Sequence, residues 1–176
     1  ESLADVLYAT NGILTFPAAA APANGISIAE VLREVFNQQS KAVSTAAAVI
    51  ANGTATIFTV AGGPIVVEEL LSICTIGNDG TATTLQYAAD PTDGAATNLS
   101  IASASLANAL AGASALCTGT FANAPTVTAA GTVAAGTTKF IVPAGVIQAI
   151  AVTGPTTGSW THHLRYKPLA RGVTVT

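Results

Sequence analysis

The hydrophobic pattern of the chain changes its period near residue 53. Before that point, apolar residues recur every three or four positions within "GISIAEVLREVFNQQSKAVS", residues 25–44. Ser27 and Glu30 form a capping box at its start, which marks a helix N-terminus. The apolar stripe that follows has the spacing of one helical face: Ile28, Val31, Leu32, Val35 and Phe36. The pattern predicts an amphipathic helix.

The helical spacing continues weakly past Gln39, through an Ala-rich stretch with Val43, Val49 and Ile50. Asn52-Gly53 supplies a stop signal. A continuous helix over this range would be about 35 Å long at 1.5 Å per residue. Upstream, Pro17 and Pro22 remove backbone donors and favour extended conformations, so residues 15–25 are predicted to form an arm.

After residue 53 the chain consists of short β-branched runs, such as "TATIFTV", "PIVVEELLSICTI" and "VPAGVIQAIAVT". Turn signals such as "AGGP", "GNDG" and "DPTDG" separate them at a spacing of roughly ten residues, which is typical of antiparallel β-architectures. We therefore predict a mainly β protein in two parts. Residues 1–52 form an extended arm and helix for anchoring or oligomerisation, and residues 53–176 form an antiparallel β-sandwich or jelly-roll-like domain.

The composition favours a protein that buries surface in an assembly. Half of the residues are hydrophobic and only 9% are charged, against roughly 25% in typical soluble domains. The other interpretation is an ordinary β-protein rich in small residues. No stretch approaches the roughly 20 apolar residues that a membrane-spanning helix needs. The N-terminal "ESLADVLYAT" carries acid where a signal peptide carries basic residues.

Charge is divided unevenly along the chain. Residues 51–138 hold five acidic residues and no Lys or Arg, whereas residues 139–176 hold Lys139, Arg165, Lys167 and Arg171 and no acid. The asymmetry either orients contacts between subunits or arises by chance in a chain with few charges. Arg165, Lys167 and Arg171 are candidate partner contacts. Without interleaved aromatic residues these cations do not predict nucleic-acid binding.

The sequence offers little catalytic or metal-binding chemistry. On a strand, His162 would share a face with Trp160 and Leu164, and His163 would lie on the opposite face. The two imidazoles therefore do not predict a shared metal site. Glu68 and Glu69 would point two ways by the same alternation. A hydrolase would need His162 or His163 in a pocket beside a Ser and an acid. No G-x-S-x-G motif is present. We predict no enzyme, catalytic residue, metal or cofactor.

The two cysteines and two of the turns can each be interpreted structurally or functionally. Cys74 and Cys117 each lie in an apolar stretch, which favours buried free thiols over a disulfide. The turns 77–80 and 90–94 are ordinary hairpin sequences, although their oxygens are also of the kind that binds Ca²⁺.

Three stretches resemble small structural proteins of tailed-bacteriophage virions: "ATIFTVAGGPIVVEELLSICT", "WTHHLRYKPLARGVTVT" and the leader "LYATNGILTFPAAAAPANGISIAEVLREVFNQQ". The resemblance lies in these short stretches and their general composition, without a catalytic signature. It implies a β-rich protein, commonly trimeric, attached to a phage capsid or tail. It implies no enzyme activity and brings no catalytic residues.

We therefore expect a capsid decoration, cement or head-spike subunit, located in the virion after assembly in the bacterial host cytoplasm. Its expected partners are copies of itself in a homotrimer and the major capsid protein or another virion protein. The helix stripe would provide oligomerisation or docking, with Gln39 as a polar position that fixes register. The alternatives are docking of the helix on its own β-domain or on an unlike partner. The alternative function is a tail-fibre or adhesin-type module that binds a cell-surface glycan, which exposed Trp160, Tyr166 or Tyr87 would favour.

Overall fold

A computed structural model of the protein describes residues 39–132, 136 and 138–176. The predicted arm and the stripe from Ile28 to Phe36 lie outside the described residues. The described residues belong to one compact unit.

The described residues form two antiparallel sheets, which confirms the prediction of a mainly β protein. The strands are β1 (Lys41–Ser44), β2 (Gly53–Ala61), β3 (Ile65–Ile76), β4 (Thr84–Pro91), β5 (Thr97–Asn98), β6 (Ser114–Leu116), β7 (Thr126–Thr128), β8 (Phe140–Val142), β9 (Gly145–Val152), β10 (Ser159–Pro168) and β11 (Thr174–Val175). Sheet A has the order β1-β10-β3-β6-β7, with β8 also paired to β3. Sheet B has the order β11-β2-β9-β4-β5.

The core lies between the two sheets. Leu70, Trp160 and Leu164 project from sheet A, and Phe58 and Tyr87 project from sheet B; each is at most 1% exposed. Burial of one such side chain stabilises a fold by roughly 1.5–3 kcal/mol. Alternation of buried and exposed positions along β10 gives this core its sheet-A face.

Glycines shape two of the connections. Gly62, in the β2–β3 turn, has a φ of 81°, and a Cβ there would lie 2.7 Å from the carbonyl oxygen of Gly172. Gly145 opens β9 with a φ of 146°, and a Cβ there would lie 2.3 Å from the carbonyl oxygen of Asp90. Both positions combine a conformation that disfavours side chains with a close backbone neighbour. The predicted turn signal "AGGP" thus marks a real turn.

The segment 99–112, between β5 and β6, is irregular. It continues along the edge of β4 that β5 pairs with: the N–H groups of Leu99, Ser103 and Leu106 donate to carbonyl oxygens of residues 87, 85 and 83. Leu99 and Leu106 are buried. The segment satisfies an open sheet edge without forming a regular strand.

The predicted continuation of the helix through residue 50 is wrong. Residues 41–44 are β1, which pairs antiparallel with β10 from Lys41 opposite Tyr166 to Ser44 opposite His163. An isolated bridge joins Ala48 to Trp160, and Ile50 enters the core at 6% exposure. The physical reason is that "KAVS" also alternates with period two, and pairing to the otherwise open edge of β10 outweighs a weak helical spacing.

Candidate functional site

The predicted oligomerisation stripe cannot be placed, because Ile28, Val31, Leu32, Val35 and Phe36 lie outside the described residues. Gln39, which was expected to share that surface, is the first described residue and is exposed.

The three basic residues predicted as partner contacts divide into two groups. Arg165 and Lys167 share the outer face of β10 and are exposed. Arg171 lies beyond the strand, in the exposed turn before β11. The structure therefore brings two of the three together on one sheet face.

A β-bulge in β3 determines what Arg165 contacts. Arg165 pairs with Glu69, but the next residue of β10, Tyr166, pairs with Val67, so Glu68 is the extra residue. Val67 and Leu70 are both buried in the core on either side of the two acids. The predicted opposite orientation of the two glutamates is wrong. The bulge turns both toward the outer face, because an inserted residue reverses the alternation.

Glu68 is the centre of an ion-pair cluster that joins four segments. Its carboxylate accepts a hydrogen bond from Lys139 Nζ at 2.8 Å and another from the hydroxyl of Ser40, and lies 3.8 Å from Arg165 Nε. A second arginine nitrogen lies 3.4 Å from Glu69. The hydrogen bond from Lys139, and then that from Ser40, lowers the pKa of Glu68. Arg165 is therefore engaged within the chain.

The two histidines lie on opposite faces of β10, as predicted. His162 is 9% exposed and points inward, whereas His163 is half-buried on the outer face. His163 Nδ1 lies 2.7 Å from Ser44 Oγ on β1. The pair forms no common metal site, and the described part of the chain contains no cluster of three or more His, Cys, Asp or Glu side chains able to hold a metal.

The inward histidine ends a buried chain of hydrogen bonds that crosses between the sheets. Tyr87 donates its hydroxyl hydrogen to the carbonyl of Ala115 at 3.0 Å. The Tyr87 oxygen lies 2.6 Å from Ser72 Oγ, and Ser72 Oγ lies 2.6 Å from His162 Nδ1. When the Tyr87 hydrogen is donated to Ala115, Ser72 donates to Tyr87, and Nδ1–H of His162 donates to Ser72. This order leaves Nε2 of a neutral His162 as an acceptor.

Burial keeps His162 neutral. Loss of solvation, and in second place repulsion from His163, lowers the pKa of His162 from 6.5 to about 4. The fully buried Tyr87 shows the corresponding effect, since burial raises the pKa of its phenol well above the usual range. The network is therefore uncharged near neutral pH.

A pocket of about 160 Å³ lies against His162. One wall is the segment 45–51 that follows β1, and another is β2 near Ala55 and Ile57, with Ala149 of β9 behind it. The lining is mainly apolar, apart from His162 and the hydroxyl-bearing Thr45 and Thr56. The pocket is open to solvent at the edge of the space between the sheets, because six of its lining residues are exposed: Ala46, Ala48, Val49, Ala51, Ala55 and Thr56.

The Ser72–His162 pair does not form an exposed nucleophile. Ser72 is 0% exposed, and its oxygen already contacts both Tyr87 and His162. The histidine would also need its Nδ1 hydrogen removed to accept a proton from Ser72. The pocket meets one requirement of the hydrolase hypothesis, a histidine beside a serine, but the serine is inaccessible to a substrate.

The turn 77–80 uses its acid to fasten a neighbouring loop. Asp79 Oδ2 accepts hydrogen bonds from the N–H and hydroxyl of Thr156 and from the N–H of Thr157, and Oδ1 accepts from the N–H of Thr81. These donors, the Thr156 hydroxyl first, lower the pKa of Asp79. A carboxylate this engaged with protein donors acts as a loop anchor.

The aromatic residues that would mark a glycan platform are buried. Trp160 and Tyr87 are 0% exposed and Tyr166 is 5% exposed. Trp160 Nε1 donates to Asn78 Oδ1 at 2.9 Å, which satisfies its polar edge inside the core. These three side chains pack the sandwich.

Cys74 and Cys117 are buried free thiols, as predicted. Burial raises the pKa of both thiols, which keeps them in the unreactive protonated form. Over the described residues, the structure contains no helix of the length and hydropathy needed to cross a membrane.

Comparisons with known proteins do not assign the chain to a family. No protein-family model and no curated protein matches the chain. Among solved structures, the chain is similar to part of a structure of infectious bursal disease virus, Gx strain, with 13% sequence identity and a TM-score of 0.21. The similarity covers 78% of this chain but only 38% of the other. A TM-score this low does not establish a shared fold.

Sequence reasoning missed the bulge and the pocket. The bulge had a signal, since the apolar inward positions of β3 move from odd numbers (Ile65, Val67) to even numbers (Leu70, Cys74) across the two glutamates. The pocket had no such signal, because its small residues come from segments that are distant along the chain and whose proximity the sequence does not reveal.

Proposed function

We propose that the protein is a structural subunit of a tailed-phage virion, of the capsid decoration, cement or head-spike type. It acts by assembly and is not an enzyme. The sequence resemblance and the low share of charged residues support this role. The runner-up, a glycan-binding adhesin, has no feature in its favour among the three aromatic residues named for it, since all three are buried.

The observation that carries the proposal is an apolar patch at the end of β3. Ile76 is 63% exposed and Leu110 is 69% exposed. Their backbones adjoin: the N–H of Asn78 donates to the carbonyl of Ala109, and a Cβ on Gly77 would lie 3.9 Å from Leu110 Cα. We call Ile76 and Leu110 the β3-end patch. Docking that covers both side chains would remove their apolar surface from water, which favours association.

In the assembly that we propose, the β-domain is the body, and the chain before it supplies the oligomer contact. The stripe from Ile28 to Phe36, with Gln39, packs against its counterparts in a homotrimer, and the β3-end patch docks on the major capsid protein or another virion protein. The protein is then located in the virion, after assembly in the host cytoplasm. Docking of the stripe on the chain's own β-domain or on an unlike partner is the competing arrangement.

We also propose jelly-roll-like connectivity for the sandwich. It is supported by repeated crossing of the chain between sheets: β1, β3 and β10 belong to sheet A, whereas β2, β4 and β9 belong to sheet B. Such crossings are a feature of Greek-key and jelly-roll arrangements.

Mass spectrometry of purified phage particles tests the proposal. We expect the protein in intact particles, and its absence from them would overturn the virion role. The double variant Ile76→Ser/Leu110→Ser should lower incorporation at least about tenfold, because two apolar side chains lose their burial. Leu169→Ser is the matched control. Leu169 is 49% exposed, and its N–H donates to Pro64 just before β3, about 40 Å from Ile76 along the strand.

Light scattering tests the oligomer separately. We expect the full chain to have three times its 17.3 kDa mass and a chain that begins at Gln39 to be monomeric. If both are monomeric, the trimer is wrong while the virion role stands or falls on the particle experiment.

A further inference from the structure

The pocket beside His162 exists because small residues face it from sheet B. Ala55 of β2 pairs with Ala149 of β9, which is 5% exposed and belongs to the core. Ala55 therefore lies on the inner face of sheet B, yet it is exposed. Its methyl group borders the pocket, on the opposite side from the sheet A residue His162. A larger residue at position 55 would fill this space.

A bulge in β2 sets the upper limit of the pocket. Thr56 pairs with Gln148 and Phe58 pairs with Ile147, so Ile57 is the extra residue. Beyond the bulge, Phe58 is 1% exposed and fills the core completely. The pocket is thus confined to the part of sheet B before Ile57, where the inward-facing side chains are alanines.

One polar atom inside this space is suited to recognise a ligand. His162 is more than nine-tenths buried and lines the pocket. Its Nδ1–H is committed to Ser72, and no hydrogen bond of the described residues uses Nε2. Among the described residues, Nε2 is therefore the ring nitrogen left for a ligand. The site offers the His162 imidazole and the Thr45 and Thr56 hydroxyls in a mainly apolar surround.

The size of the pocket fits a single ring. An enclosed apolar cavity of about 150 Å³ accommodates benzene, and this pocket, which is open to solvent on one side, has a volume of about 160 Å³. A ligand that is apolar except for one donor would satisfy both the alanine walls and Nε2. A ligand without a donor would leave the buried acceptor unsatisfied, which weakens binding.

We propose that this pocket binds a small molecule of the phenol class, with the ring between Ala55 and the segment 45–51 and the hydroxyl donating to Nε2 of His162. The site is independent of the proposed virion role, because it uses neither the β3-end patch nor the N-terminal stripe.

Ligand-detected NMR titration of the full chain with phenol tests the proposal. We expect saturable binding with a Kd of about 1 mM, as is reasonable for a ligand of seven non-hydrogen atoms. Toluene, in which a methyl group replaces the hydroxyl, should bind at least about fivefold more weakly, because it cannot donate to Nε2.

Two variants locate the site and the recognising atom. Ala55→Leu fills the space from sheet B, leaves the Tyr87–Ser72–His162 chain intact and should abolish binding. In His162→Asn, the side-chain NH₂ can replace Nδ1–H as the donor to Ser72, but no acceptor replaces Nε2. The affinity for phenol should therefore fall about fivefold to tenfold. The affinity for toluene should not change.

Absence of saturable phenol binding to the unmodified chain would overturn the proposal. So would equal affinity for phenol and toluene, or unchanged phenol binding in Ala55→Leu. Should His162→Asn fail to fold, the comparison of toluene with phenol and the Ala55→Leu variant still decide the question.

Discussion

His162 Nδ1 lies 2.6 Å from Ser72 Oγ in the middle of the core, with Tyr87 completing the chain to the backbone of sheet A. A titratable side chain from β10 is thus part of the connection between the two sheets. Its protonation state therefore bears on the stability of the whole sandwich.

The stability of the fold should fall as the pH drops from 6.5 to 4. The pKa of His162 is 6.5 when unfolded and about 4 when folded, so in this window the unfolded chain binds a proton that the folded chain does not. Stability therefore rises with pH across the window, by about 3 kcal/mol in total for a shift of this size. Urea unfolding at a series of pH values measures it.

His162→Asn is the control for that experiment. Glu68 and Asp79 also have lowered pKa values and contribute stability that is lost as the pH falls through their folded pKa values. This contribution is the same in both proteins, so the difference in the pH dependence of their unfolding free energies isolates the contribution of His162. Equal pH dependence with and without His162 would contradict the prediction.

Tyr87→Phe and Ser72→Ala should each destabilise the protein by about 1–3 kcal/mol, because each leaves a buried partner with an unmade hydrogen bond. The double variant should cost less than the sum, since the two hydroxyls contact each other at 2.6 Å. Denaturant unfolding of the four proteins gives the coupling energy. A coupling energy of zero would mean that the two hydroxyls act independently.

Glu68→Gln should reduce stability by at most about 1 kcal/mol, because Lys139 and Arg165, its ion-pair partners, are well exposed. The loss should shrink at high salt and disappear as the pH falls through the folded pKa of Glu68, where the native carboxylate is itself protonated. Glu69→Gln removes the 3.4 Å pair to Arg165 and leaves the 2.8 Å pair of Lys139 with Glu68 in place, so it is the matched control and should cost less. An effect that salt leaves unchanged would show that charge is not the cause.

Gly145→Ala should destabilise the fold by at least about 3 kcal/mol, because the new Cβ would meet the Asp90 carbonyl at 2.3 Å in an unfavourable backbone conformation. Gly172→Ala separates the effect of the backbone conformation from that of the steric contact. Gly172 also has a positive φ, of 75°, but nothing lies within 4 Å of its Cβ position, so only about 1 kcal/mol is expected. Thermal unfolding compares them, and equal losses would remove steric contact as the explanation.

Local pattern was sufficient for much of this fold. The inward and outward faces of β10 follow from the alternation of "WTHHLRYK", and the buried thiols follow from the apolar runs around Cys74 and Cys117. Register and pairing were not local properties. The direction of Glu68 depends on how β3 pairs with β10, and β1 is a strand because β10 offers it an edge. The pocket depends on Ala55 and His162, which are far apart in sequence and meet only across the sandwich.

The pairing of β1 also predicts where the chain can be shortened. A chain that begins at Gly53 would lose β1, the bridge from Ala48 to Trp160 and the buried Ile50. It would also expose the edge of β10, and such edges promote aggregation. We expect it to be several kcal/mol less stable than a chain beginning at Gln39 and to aggregate on concentration. Urea unfolding and light scattering of the two chains make the comparison, and equal stability would show that β1 contributes nothing to the sandwich.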